Sequence, residues 1–375
     1  MSCSLIFMML LSCLLLPSAR AGRSVLPEED DMALERALKM LNKPYVKSIK
    51  DKYGVVFDCV DMYKQPALDH PLLKNHKLQI SPSTSSNSTW TGPTMAGEPI
   101  LVGLQESCPD GTVLIRRTLK QDIVKARASL PRFRQEKDQS ETPGQHFAQL
   151  LINSEEGSKF QAAGAVLEVD AISVPAGQVS SAQILLVDDT SSRRSIIQSG
   201  WSADPLHEID SQTRFFTLLD GADDHKTTGC LNMLCPGFVL VNQNASPGIA
   251  LSTGTAGISI SKDGQTGNWQ VFLNQQIVGY FPKEIINGMS GAVEVQMGGM
   301  TYSPPGQKSP PMGSGVAPVP GQNTLASKFT QVGVQGAKIG KYWATKDVSD
   351  PAIYNVVMTS GPQGDSFQYG GPGGV

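Results

Sequence analysis

Beyond residue 144 the chain has no stretch long enough, at helical spacing, to build a helix that carries a core. Its apolar residues fall instead into short runs: Ala163–Val169, Gln183–Val187, Phe238–Val241, Gly257–Ser261 and Trp269–Leu273. Each is rich in β-branched or aromatic side chains, and clusters of Gly, Asn, Asp and Pro separate them. Strands this short and frequent, without helices between them, predict an antiparallel β-sandwich. Lys262–Asn268 reads as a hairpin loop, and the Pro/Gly-dense stretch Pro304–Gly321 as an ordered crossing loop.

The preceding segment differs. Leu26-Pro27 and the acidic run Glu28–Asp31 suit the first turn of a helix, where unpaired N–H groups and the dipole favour Pro and negative charge. Leu34, Ala37, Leu38 and Leu41 follow at helical spacing, and Asn42 and Pro44 close the pattern. Asp58–Pro71 reads as extended, because prolines at 66 and 71 forbid a continuous helix. Cys108–Arg117 is a turn feeding a strand, and Ser81–Thr94 a Ser/Thr-rich loop. Lys120–Arg127 alternates basic and apolar residues, which suggests a processing cut near Arg127, and 131–144 is a polar linker.

At the N-terminus, Leu5–Leu16 is almost wholly apolar and ends in Ala19-Arg20-Ala21. The run is too short to span a bilayer and small residues follow it, so it reads as a cleaved signal peptide, leaving a soluble secreted protein with no further membrane segment. With 375 residues, 40% hydrophobic, and a formal net charge of −3, the chain gives no reason to expect nucleic acid as a partner. Once Cys3 and Cys13 have left, Cys59, Cys108, Cys230 and Cys235 remain, an even number that favours disulfides outside the cell and allows three connectivities. A metal site using His225 is the other reading of the last two, but no second Cys/His cluster supports it, so no metal or cofactor is expected. Asn87-Ser88-Thr89 and Asn244-Ala245-Ser246 are glycosylation sequons, the second weakened by Pro247.

The most distinctive stretch is Ser195–Val239. It holds a Gly200-Trp201 step with Gln198 two residues earlier, an Arg214-x-Phe216 run, and Gly229-Cys230 closing on Cys235-Pro236-Gly237-Phe238. Asp58-Cys59-Val60 with Gln65-Pro66-Ala67 and Asp69-His70-Pro71, then Gly279–Pro282 and Pro311–Gly315, complete a pattern that resembles the neprosin family of plant secreted proteins. The resemblance implies a glutamic peptidase that cuts after proline, built mainly of β-structure: an antiparallel β-sandwich preceded by a small α+β activation region. It divides the chain into a signal peptide (1–21), activation region (22–128), linker (129–145) and sandwich domain (146–375). It also pairs Cys230 with Cys235, in keeping with their close spacing, which leaves Cys59 with Cys108. His70 and His76 are candidate pH sensors for release of the activation region.

In that family one catalytic position lies two residues before Gly-Trp, as Glu or Gln; the other is a Glu directly after Gly-Gly. Here they correspond to Gln198 and Met300. An amide can donate to an oxyanion but cannot act as a base, and a thioether does neither. The expectation is therefore reduced or lost activity. Glu294, six residues before Met300 on the same strand face, is the candidate substitute, although a straight strand puts it ~20 Å away; Asp204 is a weaker one. His146, His207 and His225 lie in no nucleophile motif, and Trp201, Trp269, Tyr280 and Trp343 read as core or groove walls. Two functions remain: a weakened peptidase acting on proline-rich peptides, or a non-catalytic scaffold that binds a peptide, a wall polymer or a peptidase.

Overall fold

A computed structural model describes residues 28–83, 92–93, 104, 106–129, 142–190, 194–205, 210–220, 230–286, 288–340, 344–359 and 366–374. The signal run, Asn87, Trp343, His207 and His225 lie outside these residues.

The N-terminal region begins with helix α1 (Glu28–Leu41), followed by β1 (Tyr45–Lys50), β2 (Val56–Asp61), β3 (Thr112–Arg116) and α2 (Lys120–Ser129). The three strands form an antiparallel sheet of order β1-β2-β3. Helix α1 ends at Leu41, ahead of Asn42 and Pro44 as expected, and its Leu34 and Leu41 are buried against Ile123 of α2. The helix α2 was not expected: the basic-and-apolar alternation of Lys120–Arg127 is helical, and its buried apolar residues among those described are Ile123 and Ala126. A cut near Arg127 would need that helix to unwind first. The Asp58–Pro71 segment is also less extended than its prolines suggest. After β2 it makes two short 3₁₀ turns, Pro66–Asp69 and Pro71–Leu73, each led by a proline at a position where the missing N–H costs nothing. Cys59 and Cys108 are bonded, tying β2 to the turn before β3.

The remaining strands are β4 (Gln145–Asn153), β5 (Ala162–Val169), β6 (Val179–Asp188), β7 (Ser195–Ala203), β8 (Thr213–Asp220) and β9 (Cys230–Leu231). They continue with β10 (Val239–Leu240), β11 (Gly254–Lys262), β12 (Trp269–Leu273), β13 (Gln276–Phe281) and β14 (Glu294–Tyr302). The chain ends with β15 (Ser327–Gln335), β16 (Thr345–Val348), β17 (Asn355–Met358) and β18 (Ser366–Gly370). They form two antiparallel sheets, of order β10-β13-β12-β11-β5-β15-β18-β17 and β16-β4-β14-β6-β7-β8-β9. The expected sandwich is present, and Lys262–Asn268 is the β11–β12 hairpin loop.

Period-two alternation sets the core. On the seven-stranded sheet Ala148, Leu150, Ala182, Ile184, Leu186, Ile197, Trp201, Phe215 and Leu219 face the other sheet and are buried. Trp201, fully buried, donates from Nε1 to the carbonyl of Glu168 on β5 at 2.8 Å, a hydrogen bond that joins the two layers. The crossing stretch Pro304–Gly321 is ordered through Met312, which is fully buried and bridges Gly371. Among the described residues no helix is long and apolar enough to cross a membrane.

Candidate active site

The opposite face of the seven-stranded sheet carries the site. Its strand registers align Gln198 on β7 with Leu185 on β6 and Leu218 on β8. Met300 on β14 is aligned with Ser181 on β6. Gln198 and Met300 are thus two strands apart and offset along the sheet, with Gln183 on the diagonal between them. Their side chains nevertheless line one cavity of about 10 Å³, room for a single water, together with Gln145, Phe147, Gln183, Leu185, Ile196, Leu218 and Asp220.

The floor of this cavity explains the glycines around it. Gly298 and Gly200 flank Gln183 on either side in the same register. A Cβ on Gly200 would lie 2.0 Å from the Ala182 carbonyl oxygen, and one on Gly298 2.4 Å from that of Ala148. Gly299 faces the other way, where a Cβ would strike Met312 and Tyr369. The glycines therefore let the strands approach and leave Gln183 standing between two bare positions.

Glutamine amides take part in polar contacts along this face. Gln198 donates from Nε2 to Oε1 of Gln183 at 2.6 Å, and Ser181 donates to the same oxygen at 3.2 Å. Farther along, Gln149 donates to Asp347 at 2.8 Å, and Gln296 to Glu294 at 2.6 Å. Around them lie apolar patches: Val179, Met300, Tyr302 and Phe147; Leu185, Val187 and Ile196; Phe216, Leu218 and Leu231. Met300 is 2% exposed and packed as a hydrophobe.

The structure brings Gln198 and Met300 to one cavity and leaves the other candidates out of it. Glu294 is aligned with Val187, at the far end of β14, and its carboxylate is engaged by Gln296. Asp204 is buried just after β7 and does not line the cavity. One carboxylate that the sequence reading passed over does line it, Asp220 at the end of β8. The alternation Phe216, Leu218, Asp220 puts it on the Gln198 face, a placement that only the register of β8 with β7 reveals. Among the described residues no group of three or more His, Cys, Asp or Glu is arranged to hold a metal.

The N-terminal region is docked on this domain by buried polar contacts. Arg214, on β8 and 1% exposed, pairs with Asp210 at 2.6 Å and with the buried Asp51 at 3.2 Å, and donates to the Gly248 carbonyl at 2.8 Å. Gln65, fully buried, donates to the Leu240 carbonyl and accepts from the Leu240 N–H, satisfying the edge strand β10. His76 is buried with Nε2 2.8 Å from the Tyr280 hydroxyl and Nδ1 3.6 Å from Glu284. Burial holds its pKa below the ordinary value, with Glu284 opposing and Lys283 adding to the shift. Asp263 accepts from Gln79, from both the N–H and the hydroxyl of Ser83, and from the Gln265 and Thr266 N–H groups. Burial works against its charge, but these donors prevail and bring its pKa down to about 2. His70 accepts from the Leu72 N–H within its own turn. Cys230 and Cys235 are bonded beside β9.

The class of protein is thus a two-layer antiparallel β-sandwich with a small cavity on one sheet and a separate N-terminal α+β unit pinned to it. The family model for neprosin matches residues 176–372, and that for the neprosin activation peptide matches residues 48–163. The chain belongs to the neprosin family. Among solved structures it is similar to a scytalido-glutamic peptidase bound to a peptide-based transition-state analogue, at 14% identity over 60% of this chain and 97% of that one, with a TM-score of 0.35. It is also similar to SCP-B, a member of the Eqolisin family of peptidases in complex with the tripeptide Ala-Ile-His, at 13% identity over 60% and 97%, with a TM-score of 0.34.

Proposed function

We propose that this chain is a secreted, latent member of a peptidase-like family, whose groove takes proline-containing peptides and whose hydrolytic step is weakened by Met300. The observation that carries the reading is the shared cavity of Gln198 and Met300. Amide hydrolysis needs one group to accept the proton of an attacking water and another to stabilise the oxyanion. Gln198 can supply the second function. The thioether of Met300 supplies neither, which removes roughly 10²–10³ in rate if position 300 acts electrostatically. The apolar run Leu5–Leu16 and the four bonded cysteines support an address outside the cell, where the exposed Asn244 can carry a glycan.

A second reading is a scaffold that binds such peptides, a wall polymer or a peptidase without cutting, favoured by the packing of Met300 among Val179, Tyr302 and Phe147. The test is to expose the protein to acid and incubate it with a proline-rich peptide at acid pH, analysing products by mass spectrometry. New termini after proline support the first reading. An intact peptide that is nevertheless retained by the protein supports the second.

A further inference from the structure

Among the described residues lining the Gln198 cavity, Asp220 is the one ionisable side chain. Its position follows from register alone. On β6, Leu185 lies opposite Gln198, so Gln183 is the diagonal neighbour of Gln198. On β8, Leu218 lies opposite Gln198 and Asp220 opposite Ile196, so Asp220 is the diagonal neighbour on the other side, displaced toward Ile196 where Gln183 is displaced toward Gly200. The step from Gln183 to Gln198 is short enough for a 2.6 Å hydrogen bond between the two side chains. Gln198 and Asp220 line the same cavity of about 10 Å³, room for one water. They too are diagonal neighbours, within reach of long side chains on one sheet face. Met300, by contrast, is two strands and two such steps from Gln198.

We propose that Asp220, not the residue at position 300, is the catalytic carboxylate of this groove, acting with Gln198 to hydrolyse a peptide bond. This rests on the peptidase reading above. Asp220 accepts a proton from the water in the cavity as the water oxygen bonds to the peptide carbonyl carbon. The carbonyl π pair moves to oxygen, and the second N–H of the Gln198 amide, the one not given to Gln183, donates to that oxyanion. The oxyanion then re-forms the carbonyl, the C–N bond breaks, and its electron pair takes the proton held by Asp220. One water is consumed, and one carboxylic acid and one amine are released. Leu218, Ile196 and Leu185 beside the carboxylate and amide limit competing water.

The test measures kcat and KM on an internally quenched proline-containing peptide, across pH, for the wild type, Asp220→Asn, Asp220→Glu, Met300→Glu and the Asp220→Asn/Met300→Glu double variant. Melting temperature serves as the check that each is folded. The proposal expects slow cleavage by the wild type and a kcat roughly 10²–10⁴-fold lower in Asp220→Asn with little change in KM. It also expects loss of the acidic limb of the pH profile in Asp220→Asn and partial recovery in Asp220→Glu. A wild type and an Asp220→Asn protein of equal kcat would overturn it. So would a wild type without activity beside a Met300→Glu protein that cleaves with or without Asp220, which leaves the peptidase reading standing. Absence of cleavage by every variant would remove both.

Discussion

Gly200 and Trp201 send adjacent positions to opposite faces of β7, and each face needs its residue. Trp201 fills the core and reaches the Glu168 carbonyl, while Gly200 leaves the cavity floor bare beside Gln183. Replacing Gly200 with Ala puts a methyl group against the Ala182 carbonyl oxygen of the neighbouring strand, where backbone must move. The expected cost is about 1–3 kcal/mol, read as a lower denaturation midpoint at unchanged slope. Gln183→Leu tests the other half of the floor: it strips the partner of the Gln198 amide, at a cost of ~1–3 kcal/mol for the buried donor left unpaired. At this scale the sequence was readable where a residue type has few uses. A Gly-Trp step, a close Cys pair and a Gly-Gly before a strand end each carry their reason with them. Asp220 was not readable, because a lone Asp after Leu218-Leu219 looks like the start of a turn, and only the register with β7 shows which residue it faces.

Among the elements, the strands were visible because alternation and β-branched residues repeat along them, whereas α2 was hidden. Its buried apolar positions among the described residues are Ile123 and Ala126, and Val124 points outward at 39% exposure, so no apolar stripe stands out. The helix exists because α1 offers Leu34 and Leu41 as a surface, a tertiary cause that a local pattern does not carry. The contact between the N-terminal sheet and β8 makes its own prediction. Asp51 and Arg214 are both essentially unexposed, so Asp51→Ala leaves a buried guanidinium with Asp210 and the Gly248 carbonyl as remaining partners. Breaking such a pair costs roughly 3 kcal/mol, measurable by chemical denaturation, whereas Asp69→Ala, on an exposed pair with Lys43, is expected to cost under ~1 kcal/mol.

For the molecule as a whole, acid acts in opposite directions on its two parts. The Gln79 N–H points at the Tyr280 oxygen, so the phenol proton is directed to His76, which must be neutral to accept it. Burial raises Tyr280 to about 12, so it remains a donor. With the folded pKa of His76 below its unfolded value of 6.5, the unfolded chain binds the extra proton first, and this contact loses stability as pH falls below about 6.5. Asp263 contributes above its unfolded value of 3.8 and is lost only as pH falls toward about 2. On β5 and just beyond it the sign reverses. Glu168 and Asp170 have pKa values raised mainly by burial, so the folded sandwich takes up protons that the unfolded chain does not, and gains stability as pH falls toward their ordinary range. Hydrogen exchange at pH 5 against pH 7, corrected for intrinsic rates, is expected to show residues 71–79 opening more easily while β5 stays protected, and His76→Gln should flatten that difference. Equal protection of residues 71–79 at both values would contradict it.

The account as a whole turns on what the sulfur at position 300 has cost a peptidase scaffold. The direct measurement is the ratio of kcat/KM for Met300→Glu to that of the wild type on one proline-containing peptide, after acid treatment and with both proteins folded. A rise of roughly 10²-fold or more is the predicted result. An unchanged ratio, in a variant whose melting temperature shows it intact, would mean that position 300 takes no part in the chemistry of this cavity.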